Sequence, residues 1–310
     1  MSRVVLFDPN CYKFTDDMIE HWEAEGHETK KCLYYDPAFV EWADIIWFET
    51  CDNNLAQATN LGEAGWKFSE MDMTGKKVIC RVIDIEAWCG LHNNVNWRYV
   101  DEVIFIAPHI KKLVEKDVSL KSSCVIPPGV NMDKFTFREN PVNNKHIAWV
   151  AERWFAKGID YFLQFAAMLY KRDPEYKITC VGIWADNATG GWYRAYIDYF
   201  MEQNPMNVEF IEHAPDMNMF LEDVSIVTCF SKKEAFSYAI AEGMSKGCKP
   251  IIHNFYGCDA IWPKRFVWNT LDEAVDMVFT DYNPEAYRLE IKQYSLDKML
   301  KSFDKLIENV

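Results

Sequence analysis

The chain has 310 residues, 49% hydrophobic and 15% aromatic, enough for two domains with sizeable cores. Its formal net charge of −14 repels nucleic acid and anionic membrane at long range, although a local basic groove is not excluded. No apolar run reaches the roughly 18 residues of a membrane helix, and the N-terminus lacks a charged-then-apolar leader, so a cytoplasmic location is expected. The ten Cys are scattered with no C-x-x-C pair, and Cys80, Cys180 and Cys229 lie in strand-like runs. They are read as reduced core thiols rather than as a zinc site.

The first strand is expected at residues 4–7. A loop at 8–15 leads to a helix over 16–25, with Thr15 as N-cap and Asp16 and Asp17 in the first turn, where a carboxylate suits the helix dipole. Gly26 suits the position just past its end. Apolar strands follow at 43–49, 77–83 and 103–107, the last running into a helix from Pro108 to about Glu115. This alternation predicts a parallel α/β sheet. Ligands of such sheets bind beyond the carboxyl ends of the strands, where Asp8, Glu49 and Asp84 stand. Residues 124–135 read Cys-Val-Ile-Pro-Pro-Gly-Val-Asn-Met-Asp-Lys-Phe, a short strand and a stiff connector. The expected division is a first domain over 1–137, joined by a C-terminal helix within 290–310, and a second over 138–289.

The second domain opens with a strand at 145–150, then Arg153, Lys157 and Gly158, then a helix to Lys171. Strands at 177–182, 208–211, 224–230 and 250–253 follow, with Gly182 ending the first and Glu212-His213-Ala214-Pro215 after the second. A short helix is expected over 216–221. A last helix over 295–308 carries Leu296, Met299, Leu300, Phe303 and Leu306 on one face.

The densest signal is Glu234-Ala235-Phe236-Ser237-Tyr238-Ala239-Ile240-Ala241-Glu242, set between an apolar strand and Gly247-Cys248-Lys249-Pro250. A helix beginning near Ser237 puts Glu242 about 7–8 Å along its axis. That matches the span from the diphosphate of a nucleotide sugar to its ribose. Amides at a helix start favour an anion. One carboxylate would then face a sugar and the other a ribose, with phosphate between. Taken alone, two Glu at this spacing are more often solvated side chains near an ordinary helix. The flanking strand, Gly247 and Pro250 shift the balance.

These residues resemble the Glu-Gly-Phe-Gly-x-x-x-x-Glu-Ala-Met-Ala-x-Gly element of the GT-B glycosyltransferases of family 4. The connector at 124–135 resembles their Ile-Pro-Asn-Gly-Val-Asp-x-x-x-Phe segment, and Gly26-His27-Glu28 matches a common first-domain triplet. Tyr294-Ser295-Leu296 resembles the start of their last helix, which returns to the first domain. The resemblance implies a GT-B fold, α/β, with two Rossmann-like domains and a cleft between them. It implies that Arg153 and Lys157, from a Gly-Arg-x-x-x-Lys-Gly pattern, hold the donor diphosphate. Fixed cations there lower the barrier as charge grows on the leaving oxygen. Glu234 would hold hydroxyls of the transferred sugar, and amides near Phe236, Ser237 and Tyr238 would contact sugar and phosphate. Glu242 would accept from the ribose, Gly182 would let backbone approach the nucleotide, and His213 would border the base. Retention at the anomeric carbon and no obligatory metal are implied. The chain has no Asp-x-Asp pair.

The acceptor side departs from the family. The loop Asp8-Pro9-Asn10-Cys11-Tyr12 lacks the usual glycines, and Ile83 stands where some relatives carry a His. Asp84 is the candidate acceptor-side base, against the plainer reading of a strand-end cap. His92 and His109 are weaker candidates. Residues 1–130 hold 13 Lys and Arg against 21 Asp and Glu, a balance of −8, and the first helix is acidic, which argues against stable membrane association. Lys111, Lys112, Lys116 and Lys121 form one local basic face. The function expected is transfer of a hexosyl or pentosyl group from a nucleotide sugar, a UDP-sugar by preference, to a hydroxyl of a small molecule, glycan, protein or modified DNA base. A Met-, Asn- and aromatic-rich composition points to a viral source, hence a host-cell cytoplasm. One alternative is a phage enzyme acting on hydroxymethylated pyrimidines in DNA; another is a non-catalytic nucleotide-sugar-binding module.

Overall fold

The computed structural model describes residues 1–9, 15–138, 140, 142–185 and 191–308. Its strands form two six-stranded sheets, every pair parallel. The first contains β1 (Arg3–Phe7), β2 (Glu28–Cys32), β3 (Ile45–Phe48), β4 (Lys77–Val82), β5 (Glu102–Phe105) and β6 (Ser123–Val125), in the order β2-β1-β3-β4-β5-β6. The second contains β7 (His146–Val150), β8 (Lys177–Val181), β9 (Val208–Ile211), β10 (Ile226–Cys229), β11 (Lys249–His253) and β12 (Val267–Trp268), in the order β12-β11-β10-β7-β8-β9. In each sheet the strand order reverses beside the first strand, the doubly wound pattern of a Rossmann-like unit. Contacts divide the chain into Met1–Pro128 with Asp297–Val310, and Gly129–Leu296. The division falls inside the proline-rich connector, nine residues before the 137/138 boundary expected from sequence, and the first unit takes Asp297–Val310 from the C-terminal end rather than the whole of 290–310.

Apolar runs form the central strands because both faces are covered by helices. Val4, Val5, Leu6 and Phe7 of β1 and all of β3 are fully or almost fully buried. β2, with sequence Glu-Thr-Lys-Lys-Cys, has no apolar run; it is an edge strand with one half-solvated row of side chains. Its backbone pairs with β1 from Arg3↔Glu28 to Phe7↔Cys32. Sequence patterning missed it for that reason, and it also missed the helix Gly191–Gln203, whose burial is confined to Tyr193 and Ile197.

The helix Asp16–Ala24 begins where expected, but the Thr15 hydroxyl donates to Asp8 Oδ2 at 2.7 Å instead of capping a helix amide. Most of the loop before it, residues 10–14, lies outside the described residues, including Asn10, Cys11 and Tyr12 of the glycine-free loop. The last helix, Leu296–Ile307, buries Met299, Leu300, Phe303 and Ile307. Ile307 takes the place expected of Leu306. Phe303 meets Trp47 edge-on at 5.1 Å and lies under the Arg81 guanidinium. Asp304 faces His21 at 3.0 Å. The helix is thereby sewn onto the first sheet by packing as well as by polar contacts.

Candidate active site

At the carboxyl end of the first sheet the carboxylates of Asp8 and Glu49 have internal partners. Asp8 is fully buried, accepting from Thr15 and facing Lys31 Nζ at 3.4 Å. Glu49 takes Arg81 Nη1 at 2.6 Å and the Trp47 indole at 2.9 Å, all inside the core. Asp84 is half-buried and precedes the short helix Ile85–Trp88, its carbonyl accepting from Ala87 and Trp88 amides. The turn is held by Glu86, whose oxygens accept the amides of Ile83 at 2.5 Å and Asp84 at 3.1 Å. Glu86 is 2% exposed, and burial pushes its carboxyl above the usual carboxylate range. His92 is buried against Asp117 at 3.2 Å, and His109 is buried as well. The basic face is partly neutralised: Lys111 lies 3.6 Å from Glu115 and Lys121 2.9 Å from Asp101.

In the second unit the loops after β7 and β10 meet. Gly158 has φ +78°, and a Cβ there would lie 2.1 Å from the Phe230 carbonyl oxygen, so the start of the helix Ile159–Arg172 touches the end of β10 backbone to backbone. This approach brings Lys157 Nζ to 2.8 Å from Glu234 Oε2, which also accepts from the Ser231 hydroxyl at 3.2 Å. The sequence put these two residues 77 positions apart without indicating that they touch. Ser231 is itself fixed by His253, whose Nδ1–H donates to its carbonyl at 2.8 Å. Burial depresses the His253 imidazole below its ordinary value, which keeps the ring neutral and the tautomer set by that carbonyl.

The helix Tyr238–Ser245 follows with Ser237 at its cap, the start anticipated from sequence. The Ser237 side chain does not cap this end, and Glu242 lies half-buried on the second turn. Gly243 lets the helix close on β10: a Cβ would meet Val227 at 2.5 Å. Phe236 is buried, stacked on Trp262 at 5.4 Å and flanked by Tyr238 and Tyr294. Its ring is therefore a strut for the loop before the helix.

Arg153 packs toward β8 and β9. Its backbone pairs with Trp184, and its guanidinium donates to the Ile211 carbonyl at 2.7 Å and sits 5.0 Å over the Phe210 ring. It is 5% exposed. Gly182, at φ +152°, would place a Cβ 2.0 Å from the Ala151 carbonyl, so its first demand for glycine comes from the neighbouring β7 loop. His213 is exposed in the loop after β9. Sequence reasoning did not single out Trp184, which carries Arg194 stacked at 3.9 Å, nor Ser231, His253, Lys232 or Asp160. None of these falls in a spaced motif; Lys232 meets Asp160 and His253 meets Ser231 only through the folding of the second sheet. Among the described residues no group of three or more His, Cys, Asp or Glu could hold a metal ion.

Two doubly wound units, the second with a cation–carboxylate pair before a helix start, define the GT-B class of glycosyltransferase folds. Residues 132–310 match the model of the family Glycosyl transferases group 1, and the chain belongs to that family. The fold is similar to that of HepE from Anabaena, solved in complex with UDP, at TM-score 0.74 and 12% identity over 100% of both chains. A glycosyltransferase from Rickettsia africae aligns at TM-score 0.70 and 15% identity, over 99% of each chain. TarM of S. aureus, solved with fondaparinux, α-GlcNAc-glycerol and UDP, aligns at TM-score 0.65 and 15% identity over 84% of this chain. The chain spans about half of TarM, 55% of its length. No curated protein matches the chain by sequence. No described helix is long and apolar enough to cross a membrane.

Proposed function

We propose that this protein is a retaining glycosyltransferase of the family 4 type, moving a sugar from a UDP-sugar to a hydroxyl acceptor without an obligatory metal. The observation that carries the reading is the Lys157–Glu234 pair, 2.8 Å apart in the loops just before the helix that bears Glu242. A diphosphate arriving at the helix start draws Lys157 away from Glu234, and the released carboxylate accepts sugar hydroxyls. Arg153 reaches the same phosphates by exchanging the Ile211 carbonyl for phosphate oxygens. Glu242 accepts from the ribose, the backbone of Phe236, Ser237 and Tyr238 donates to sugar and phosphate, Gly182 borders the nucleotide and His213 the base. Leaving-group charge develops between two fixed cations, the electrostatic arrangement the transfer needs. HepE has also been solved with UDP-glucose, which supports a uracil nucleotide as the first donor to try.

Asp84 is the acceptor-side base in this reading and takes the proton of the attacking hydroxyl, while the new bond forms on the face from which the donor phosphate leaves, as retention requires. The transferred group is a hexose or pentose, and the acceptor a small molecule, glycan, protein or modified DNA base. The phage DNA reading calls on the lysine face, where Lys111 and Lys121 already pair with carboxylates. The non-catalytic reading has no need for Arg153, Lys157, Glu234 and Glu242 together. Incubation with a panel of UDP-, GDP- and ADP-sugars tests the proposal: free nucleotide is expected from at least one UDP-sugar, and is lost in Glu234→Ala and Lys157→Ala. Absence of turnover with every donor sinks it. Anomeric NMR of the product separates retention from inversion.

A further inference from the structure

Beside the Lys157–Glu234 pair lies a second one that no part of the proposed mechanism uses. Lys232 stands two residues before Glu234, and Asp160 three residues after Lys157. The Lys232 ammonium donates to both Asp160 oxygens, at 2.6 and 2.8 Å, and to the Phe155 carbonyl at 3.3 Å. It lies 3.8 Å over the Phe155 ring and 4.6 Å over that of Tyr161. Its backbone amide donates to the Ala156 carbonyl at 2.8 Å. The two loops that carry Lys157 and Glu234 are thus joined by main chain, by a bidentate ion pair and by a cation held between two aromatic rings. Both partners are about one-fifth exposed, so water screens the pair only in part.

The arrangement has a consequence for the chemistry. Lys157 cannot hold Glu234 and a diphosphate at full strength together, so donor binding weakens the contact that spans the two loops at the reacting centre. A connection made of different groups must then keep the loops in register. We propose that Lys232 and Asp160 are positioning residues, a clasp that holds Lys157 and Glu234 at catalytic spacing while Lys157 transfers from Glu234 to the donor phosphate. The inference rests on the glycosyltransferase reading above. A displacement of about 1 Å at such a site costs up to about 100-fold in rate.

The test uses the full chain and whichever sugar nucleotide of the panel the wild type hydrolyses. Lys232→Met keeps the stem on the two rings and removes the charge; Asp160→Asn keeps the shape and weakens the pair. Thermal melting selects variants that fold, so either substitution alone suffices. A fall of about tenfold or more in kcat, with UDP affinity by calorimetry unchanged within about twofold and rate restored in Lys232→Arg, supports the clasp. Wild-type kcat in the folded variants overturns it. So does a parallel loss of UDP affinity, melting temperature and rate that Lys232→Arg does not repair, which marks a merely structural pair. A wild type without turnover on any donor removes the glycosyltransferase reading and the clasp with it, whereas an active wild type with indifferent variants removes the clasp alone.

Discussion

At the scale of single residues, Glu234 and Glu242 differ in what surrounds them, and the difference predicts different defects. Glu234 is engaged by a lysine and a hydroxyl that a donor displaces or shares. Glu234→Ala is expected to lower turnover by on the order of 10²–10³-fold, with UDP affinity nearly unchanged. Glu242 lies on the second turn of the helix Tyr238–Ser245, where the proposed reading puts the ribose, so Glu242→Ala is expected to weaken UDP binding by about 10-fold, the cost of one charge-assisted hydrogen bond. Calorimetry with UDP and steady-state release of UDP separate the two. Lys249 makes a pH prediction. Its ammonium is buried at the opposite end of β11 against the Thr280 carbonyl at 2.8 Å, and burial lowers it to about 8. Between about 8 and the usual lysine value the unfolded chain binds more protons than the folded one, so this group makes stability rise as pH rises through that window. Urea melts from pH 7.5 to 10 (roughly the span of the shift) should show a slope that Lys249→Met flattens.

At the scale of elements, two junctions decide the site. The first is the backbone contact at Gly158. Alanine there must adopt φ +78° and place its Cβ against the Phe230 carbonyl. Gly158→Ala is expected to cost about 1–3 kcal/mol and to separate the Lys157 and Glu234 loops, read as a lower urea midpoint together with lost turnover. The second is the last helix, pinned by Phe303, which is 0% exposed. Phe303→Ala is expected to destabilise the first unit by about 3–5 kcal/mol, measured by urea unfolding, while UDP affinity, a property of the second unit, stays near the wild-type value. Element positions were largely legible in sequence where an apolar run was buried on both faces, as in β1, β3, β4, β7 and β10. They were illegible where pairing was made by backbone alone, as in polar β2, or where a helix buried two side chains, as in Gly191–Gln203.

At the scale of the whole molecule, the proposal places all the donor chemistry in Gly129–Leu296, with cations supplied by the protein. Turnover is therefore expected to persist in excess EDTA, and loss of activity on chelation, restored by a divalent ion, would contradict it. The surplus of carboxylates over lysines in residues 1–130 and the ion pairs of the lysine face give a second expectation. Binding to duplex DNA should be weak, and no steeper in salt than a contact or two to phosphate would make it, as measured by retardation at graded ionic strength.

Legible in the sequence were the alternation of strands and helices, the proline-rich connector, the amphipathic last helix and the E-x7-E element. These are properties of short stretches, set by local hydrophobic period, by proline and glycine, and by spacing along one helix. That Lys157 holds Glu234, Lys232 holds Asp160, Arg153 rests on Ile211 and Glu49 pairs with Arg81 in the core followed only from the packed fold. Each of those pairs joins residues from different strand ends, and a contact between strand ends depends on sheet order and register, which no single stretch of chain encodes.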